Sequence, residues 1–508
     1  MMKDREIGQI TIILNDRSFE YDVYTLLLAY FPGREIQVRD ASAEGDEKAE
    51  EQPNGQISDT ELLVSVLLKA PDERTAGLLS LRCGEISRTI PLDPGSSRSL
   101  IKNRIKRSLY EALRDLSGQS LPWGNLTGIR PVRLAMEELE KAGDRETASK
   151  SLQAVYYLSP RKADLSVETA EKERDILGKL HPEEGYSLYI GIPFCPSICL
   201  YCSFSSGPIS LYEKEVDRYL DALIYEMEET RDLFAPKKLQ SIYIGGGTPT
   251  TLSPERLQRL LEAVSRNFDL SAVREFTCEA GRPDSIDREK LSVLKDFGIS
   301  RISINPQTMN QKTLDLIGRR HTVEETVSAF ALARSMGFSD INMDLIVGLP
   351  GEGLLEVHKT LESLATLAPE AITVHALALK RAARLSLHLD EYERISFQAS
   401  DQIMDACEET CRGLGMGPYY LYRQKNMAGN FENVGWSLPG FEGLYNILIM
   451  EEVQSILALG ASASTKFVWE GGRIERAENV KDVRNYLDRI DEMIRRKWDL
   501  KEKGPRER

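Results

Sequence analysis

The chain has 508 residues, 41% hydrophobic and 28% charged, with a net charge of −14. It is too long for one ordinary domain and can bury at least one large core. Its acidic balance argues against a general binder of nucleic acid or of acidic membrane surfaces, and no apolar run reaches membrane-spanning length. The opening residues, MMKDREIGQITIILND, lack the uninterrupted apolar core of a secretory signal. The expected location is therefore cytoplasmic, where seven cysteines are expected as ligands, catalysts or buried thiols rather than disulfides.

Along the chain, QITIILN (9–15), ELLVSVLLK (61–69) and AGLLSLRCG (76–84) read as strands, with a polar acidic loop expected over 41–56. Residues 97–180 read as mostly helical, interrupted at PWGNLTGIRP (122–131), where Pro and Gly are too dense for a helix. The first 180 residues are thus expected to form an α+β domain with a helical connector, and they carry no motif with clear chemistry. From Tyr186 apolar runs alternate with amphipathic segments: YSLYIGI (186–192), SIYIGG (241–246), EFTCEA (275–280), RISINP (301–306), INMDLIVGLP (341–350) and AITVHALAL (371–379). Ser253 and Pro254 mark one helix start, and Thr322 with Glu325 marks another as a capping box, with Gly337 as its stop. Six such repeats imply an α/β fold with a parallel sheet, either doubly wound or curled into a partial barrel, over 181–395. In both forms chemistry collects at the C-terminal strand ends. Residues 396–508 are expected as a separate mixed extension ending in a frayed basic tail.

Directly after the first of these strands comes GIPFCPSICLYCSF, with Cys195, Cys199 and Cys202 spaced C-x3-C-x2-C. Thiolates suit zinc or iron–sulfur clusters. Structural zinc asks for four ligands, and a four-iron cubane normally takes four cysteines, so three leave one iron open. Spacing alone also permits three buried thiols. After the second strand, GGGTP (245–249) allows close backbone approach to a ligand, or forms only a turn.

Together, LYIGIPFCPSICLYCSF, SIYIGGGTPTTL, FTCEAGRP, RISINPQTMN, LIGRRHT and NMDLIVGLP, covering about 186–350, resemble the radical S-adenosylmethionine (SAM) superfamily. Within it the chain is similar to the oxygen-independent coproporphyrinogen dehydrogenase group, most closely its HemZ type, through LTGIRP, LALKRAARL and YYLYRQKNMAGNFENVG. The resemblance implies a partial (βα)6 TIM-like barrel. It implies a [4Fe-4S] cluster on Cys195, Cys199 and Cys202, with SAM on the open iron as the source of a 5′-deoxyadenosyl radical. It places SAM against Gly245, Gly246, Gly247 and Thr248, and against Glu279, Gln307, Arg319 and Asp344, with Tyr189 packed beside the cluster; it names no catalytic side chain. Two positions depart from the best-known coproporphyrinogen enzymes: Phe204 stands where they have a fourth cysteine, and Gly191 where they have a histidine.

The implied reaction is oxidative decarboxylation of two propionates of coproporphyrinogen III, giving protoporphyrinogen IX in anaerobic haem biosynthesis. A low-potential donor such as flavodoxin or ferredoxin would supply electrons, and a monomer is expected. Propionates call for cations, and Lys380, Arg381, Arg384 and Arg423 are the substrate candidates. Two alternatives stay open: a haem-binding chaperone of the same family, and a radical enzyme acting on another tetrapyrrole. None of the five histidines (His181, His321, His358, His375, His388) falls in the C-terminal extension, which removes a His-ligated haem there.

Overall fold

The computed structural model describes residues 7–41, 61–128, 130–378, 400–424 and 431–504. The chain divides into two compact units, 1–167 and 168–508, and the boundary falls inside the helix Pro160–Leu180.

The first unit is built on a five-stranded sheet in the order Glu35–Asp40, Gln9–Leu14, Glu61–Lys69, Gly77–Cys83, Ile86–Leu92. The first three strands run parallel and the last two antiparallel. Leu62, Val64 and Val66 alternate inward along one strand, the period-two signature of a sheet with one buried face. They pack with Val23 and Leu27 of helix Glu20–Tyr30 and Ile105, Leu109 and Leu113 of helix Arg98–Ser117 in one core. Ser97 caps that second helix, and Gly118 ends it at φ +69°.

In the second unit six parallel strands, Gly185–Ile192, Lys238–Gly246, Glu275–Glu279, Arg301–Ser303, Ile341–Val347 and Ala371–Ala376, lie side by side in chain order. A doubly wound sheet reverses its order at a switch point; this one never does, which selects the partial barrel. The expected helix signals are in place. Ser253 Oγ accepts from the Arg256 N–H at 3.4 Å, and Thr322 and Glu325 exchange both capping-box bonds at 3.1 and 2.7 Å.

The segment expected as a separate third domain instead extends the barrel sheet at both edges. Asn433–Ser437 pairs antiparallel with the sixth barrel strand, followed by Gly417–Tyr422. Ser455–Leu459 pairs parallel with the first, followed by Ser464–Val468 and Ile474–Glu478. Exposed strand edges carry unpaired backbone groups, and these strands satisfy them. Nor is the described part of the basic tail frayed: Ile490–Lys503 is a helix, and its Lys497 is fully buried with Nζ 2.5 Å from Glu226 Oε1.

Candidate functional site

The cysteine loop leaves the first barrel strand at Ile192. It is pinned to the end of the second strand by two backbone bonds, the Gly247 N–H to the Ile192 carbonyl and the Thr248 N–H to the Phe194 carbonyl, both 2.7 Å. Those contacts explain two of the glycines. Gly246 has φ +106°, and a Cβ there would sit 3.1 Å from the Ile192 backbone. On Gly247 a Cβ would fall 2.6 Å from the Phe194 carbonyl and 3.0 Å from Cys195 Sγ. The loop is also tied to the barrel by the Leu200 N–H to the Ile317 carbonyl at 3.0 Å.

Cys195, Cys199 and Cys202 line a single cavity of about 370 Å³ at the C-terminal ends of the strands. Gly246, Gly247, Thr248, Glu279, Gln307, Arg319 and Asp344 line it with them, so the structure gathers ten of the residues picked from the sequence around one space. Tyr189 and Gly245 stand behind its wall. The Tyr189 ring stacks on Tyr243 at 6.3 Å, and a Cβ on Gly245 would meet the Tyr243 ring at 2.8 Å. Arg423 does not line the cavity. It follows the strand Gly417–Tyr422, whose Tyr420 and Tyr422 face inward together with Gln424, and it is buried beside Glu432. Lys380, Arg381 and Arg384 lie outside the described residues. Cys83, Cys278, Cys407 and Cys411 are all buried and none lines the cavity.

Burial pushes the Cys202 thiol up to about 11 and raises Cys195, with Thr248 and Ser206 hydroxyls at 3.5 and 3.7 Å opposing the rise at Cys195. A buried cation is aimed at the loop. Arg282, 3% exposed, brings Nη1 within 3.7 Å of Cys199 Sγ and 3.1 Å of Ser197 Oγ, while Asp284 grips its other face at 2.9 and 2.7 Å. Arg282 lies in FTCEAGRP, where the motif alone does not mark its role; the Arg-x-Asp pair that it forms with Asp284 is the local signal.

Deeper in the cavity Tyr243 donates to Glu279, and Asn342 donates to Asp344 at 2.7 Å. His375 Nε2 lies 3.8 Å from Asp344. Burial, reinforced by Asp344, raises Glu279 to about 7, against the pull of Tyr243 and His375. At Asp344 burial also pushes upward, but His375 and Asn342 outweigh it and hold the carboxyl low. Gln307 adopts φ +66°, unusual for a residue with a side chain, because its N–H and C=O are both tied to the fifth strand, at Asp344 and Ile346. Its Oε1 is buried without a partner. Arg319 donates to the carbonyls of Asn305, Pro306 and Gly281, yet its buried Nε has none. Buried polar groups left unpaired cost free energy unless a ligand completes them.

This donor set fits the implied cofactors. Among the described residues no three His, Cys, Asp or Glu side chains converge as one metal ion requires. A four-iron cluster asks each thiolate for a different iron, and three thiols on one cavity wall meet that demand. The unpaired amide oxygen and guanidinium N–H beyond them suit a polar, zwitterionic ligand such as SAM.

Comparison with known proteins agrees. Residues 189–364 match the Radical SAM superfamily model. The chain is 41% identical over 396 residues to the oxygen-independent coproporphyrinogen-III oxidase-like protein HemZ of Bacillus subtilis, covering 77% of this chain and 79% of that one. It is 33% identical to the heme chaperone HemW of the same organism, over 60% of this chain and 76% of that one. Against the oxygen-independent coproporphyrinogen III oxidase of Escherichia coli it is 27% identical, over 63% and 68%. The chain therefore belongs to the radical SAM superfamily, in the family that holds the coproporphyrinogen-III oxidase-like proteins and the heme chaperones, and its cofactors are a [4Fe-4S] cluster and SAM.

Proposed function

We propose that the chain is an oxygen-independent coproporphyrinogen dehydrogenase, converting coproporphyrinogen III to protoporphyrinogen IX. The observation that carries this reading is the single cavity in which three thiols face Glu279, Gln307, Arg319 and Asp344. The relatives named for coproporphyrinogen oxidation support the substrate.

Cys195, Cys199 and Cys202 would hold three irons, and the Gly246–Thr248 turn, Glu279, Gln307, Arg319 and Asp344 would bind SAM. Bound together, the two cofactors supply one-electron chemistry able to take a hydrogen atom from an unactivated carbon. The chain's own residues position and screen. Glu279, poised near neutrality, meets a cationic ligand group as a carboxylate. Asp344, kept ionised by His375 and Asn342, accepts hydroxyl donors. Tyr420, Tyr422 and Met450 give the cavity a flat, partly apolar wall against which a macrocycle can lie. Each of two propionates then loses one hydrogen atom, carbon dioxide and one electron, leaving a vinyl group, and the other two propionates are kept. A low-potential flavodoxin or ferredoxin is the electron source for SAM reduction, and a separate acceptor takes the substrate's electron.

The heme-chaperone reading rests on one observation, the 33% identity to HemW. Anaerobically reconstituted protein separates the two. The dehydrogenase forms protoporphyrinogen IX and carbon dioxide from coproporphyrinogen III only with SAM and a reductant. Untouched coproporphyrinogen together with transfer of haem to an acceptor protein establishes the chaperone instead.

A further inference from the structure

A second cavity, of about 340 Å³, lies beside the first and shares Phe204, Gly246 and Ile449 with it. Its character is opposite. The cluster cavity carries Arg282, Arg301, Arg319, Glu279 and Asp344, whereas no charged side chain is among the described residues lining the second. Two tyrosines, Tyr189 and Tyr445, stand on its wall, both stacked on Tyr243, at 6.3 and 4.6 Å. Ile449 and Ile456 add aliphatic surface. Ala458, Ala461 and Ala463 keep one side shallow, and Gly191 adds no side chain. Phe204, at the junction, is 71% exposed, an apolar ring left uncovered between two cavities. Ser464 Oγ, also on the lining, is buried without a partner and offers one neutral hydrogen bond.

We propose that this cavity receives the uncharged, alkyl- or vinyl-bearing edge of a tetrapyrrole, while its carboxylates stay on the side of the arginine-bearing cavity. The inference rests on the tetrapyrrole part of the reading above and not on its redox part. The volume is at the lower end of small-molecule pockets, suited to part of a large ligand rather than all of it. A propionate pushed into this space sheds its water and meets no cation, whereas a methyl or vinyl group loses nothing and covers Phe204 and Tyr445. The surface thus favours macrocycles with fewer propionates. In a two-stage decarboxylation the half-converted intermediate, carrying one vinyl group, stays bound by its new apolar edge for the second stage.

The test measures binding of two stable probes, mesoporphyrin with two carboxylates and coproporphyrin with four, to the cluster-loaded protein with SAM, by Soret absorbance. Mesoporphyrin should bind at least about tenfold more tightly. Phe204→Arg, at an exposed position, should tighten coproporphyrin and bring the ratio near one. Ala463→Leu, which fills the cavity, should weaken mesoporphyrin about tenfold with SAM affinity retained. Equal or tighter binding of coproporphyrin by the unaltered protein overturns the proposal, as does a ratio that Phe204→Arg leaves unchanged, including when Ala463→Leu does not fold. If neither porphyrin binds while SAM does, the tetrapyrrole reading itself falls and takes this inference with it.

Discussion

Two buried polar clusters in the second unit differ in one respect. Around Glu226 every polar atom is answered. One carboxylate oxygen takes Lys497 Nζ at 2.5 Å and Asn479 Nδ2 at 2.7 Å, and the other takes the Gly460 N–H at 2.8 Å and Tyr486 Oη at 2.7 Å. In the cluster cavity Gln307 Oε1 and Arg319 Nε are unanswered. Next to them neither ring nitrogen of fully buried His321 has a hydrogen-bond partner; burial and the neighbouring Arg319 and Arg282 hold its imidazole down to about 3. A closed network joins the C-terminal helix to the barrel, whereas an open one waits for ligands. Breaking the first should cost stability, and breaking the second should cost binding.

The largest effect is expected at the cysteines. Cys199→Ala should abolish the four-iron cluster on reconstitution, and Cys407→Ala should leave iron content unchanged; undiminished iron in Cys199→Ala refutes the ligand assignment. Next is the closed network. Lys497→Ala leaves the buried Glu226 side chain without its cationic partner, and should lower unfolding free energy by about 3–5 kcal/mol. In the fraction that remains folded, SAM affinity should be unchanged, which denaturant titration beside calorimetric SAM binding can check.

A smaller effect is expected from Glu279. With its carboxyl raised to about 7, roughly a tenth is ionised at about pH 6 and roughly nine tenths at about pH 8. A cation selects the ionised form, so SAM affinity should rise about tenfold across that range, and Glu279→Gln should flatten the profile. In the ligand-free protein the sign is opposite. A carboxyl raised in the folded state stabilises fully below its ordinary value, and that contribution is lost as pH rises through about 7. The smallest effect is at Arg282: removing the cation 3.7 Å from Cys199 Sγ in Arg282→Gln should lower the cluster's reduction potential by on the order of tens of millivolts. An unchanged potential would mean that Arg282 only braces the loop through Ser197 and Asp284.

The barrel was legible because its strands, buried on both faces, read as continuous apolar runs. Edge strands were not. In Glu35–Asp40 and Ile86–Leu92 every second residue is exposed, so EIQVRD and ISRTIPL look like loop. Short strands such as SILAL and STKFV gave no sign that they would join the barrel sheet, since pairing across a chain separation that large leaves no local pattern. Lys497 shows the same limit: its partner is 271 positions away, and a lysine in a basic tail reads as solvated. Of the site, the cysteines and the glycine turn were visible through spacing, and the later contacts only through the family resemblance. The glycines also carry a constraint that spacing hides. With Gly246 at φ +106° against the Ile192 backbone, Gly246→Val should strain the loop that presents Cys195 and so disturb the cluster and SAM binding together.

The central claim is that three thiols hold a four-iron cluster whose fourth iron takes SAM in this cavity. Electron paramagnetic resonance of the reduced, reconstituted protein, recorded with and without SAM, tests it most directly. The account predicts a reduced four-iron signal whose g values shift when SAM is added, with the shift weakened in Arg319→Ala. A cluster signal indifferent to saturating SAM would contradict it.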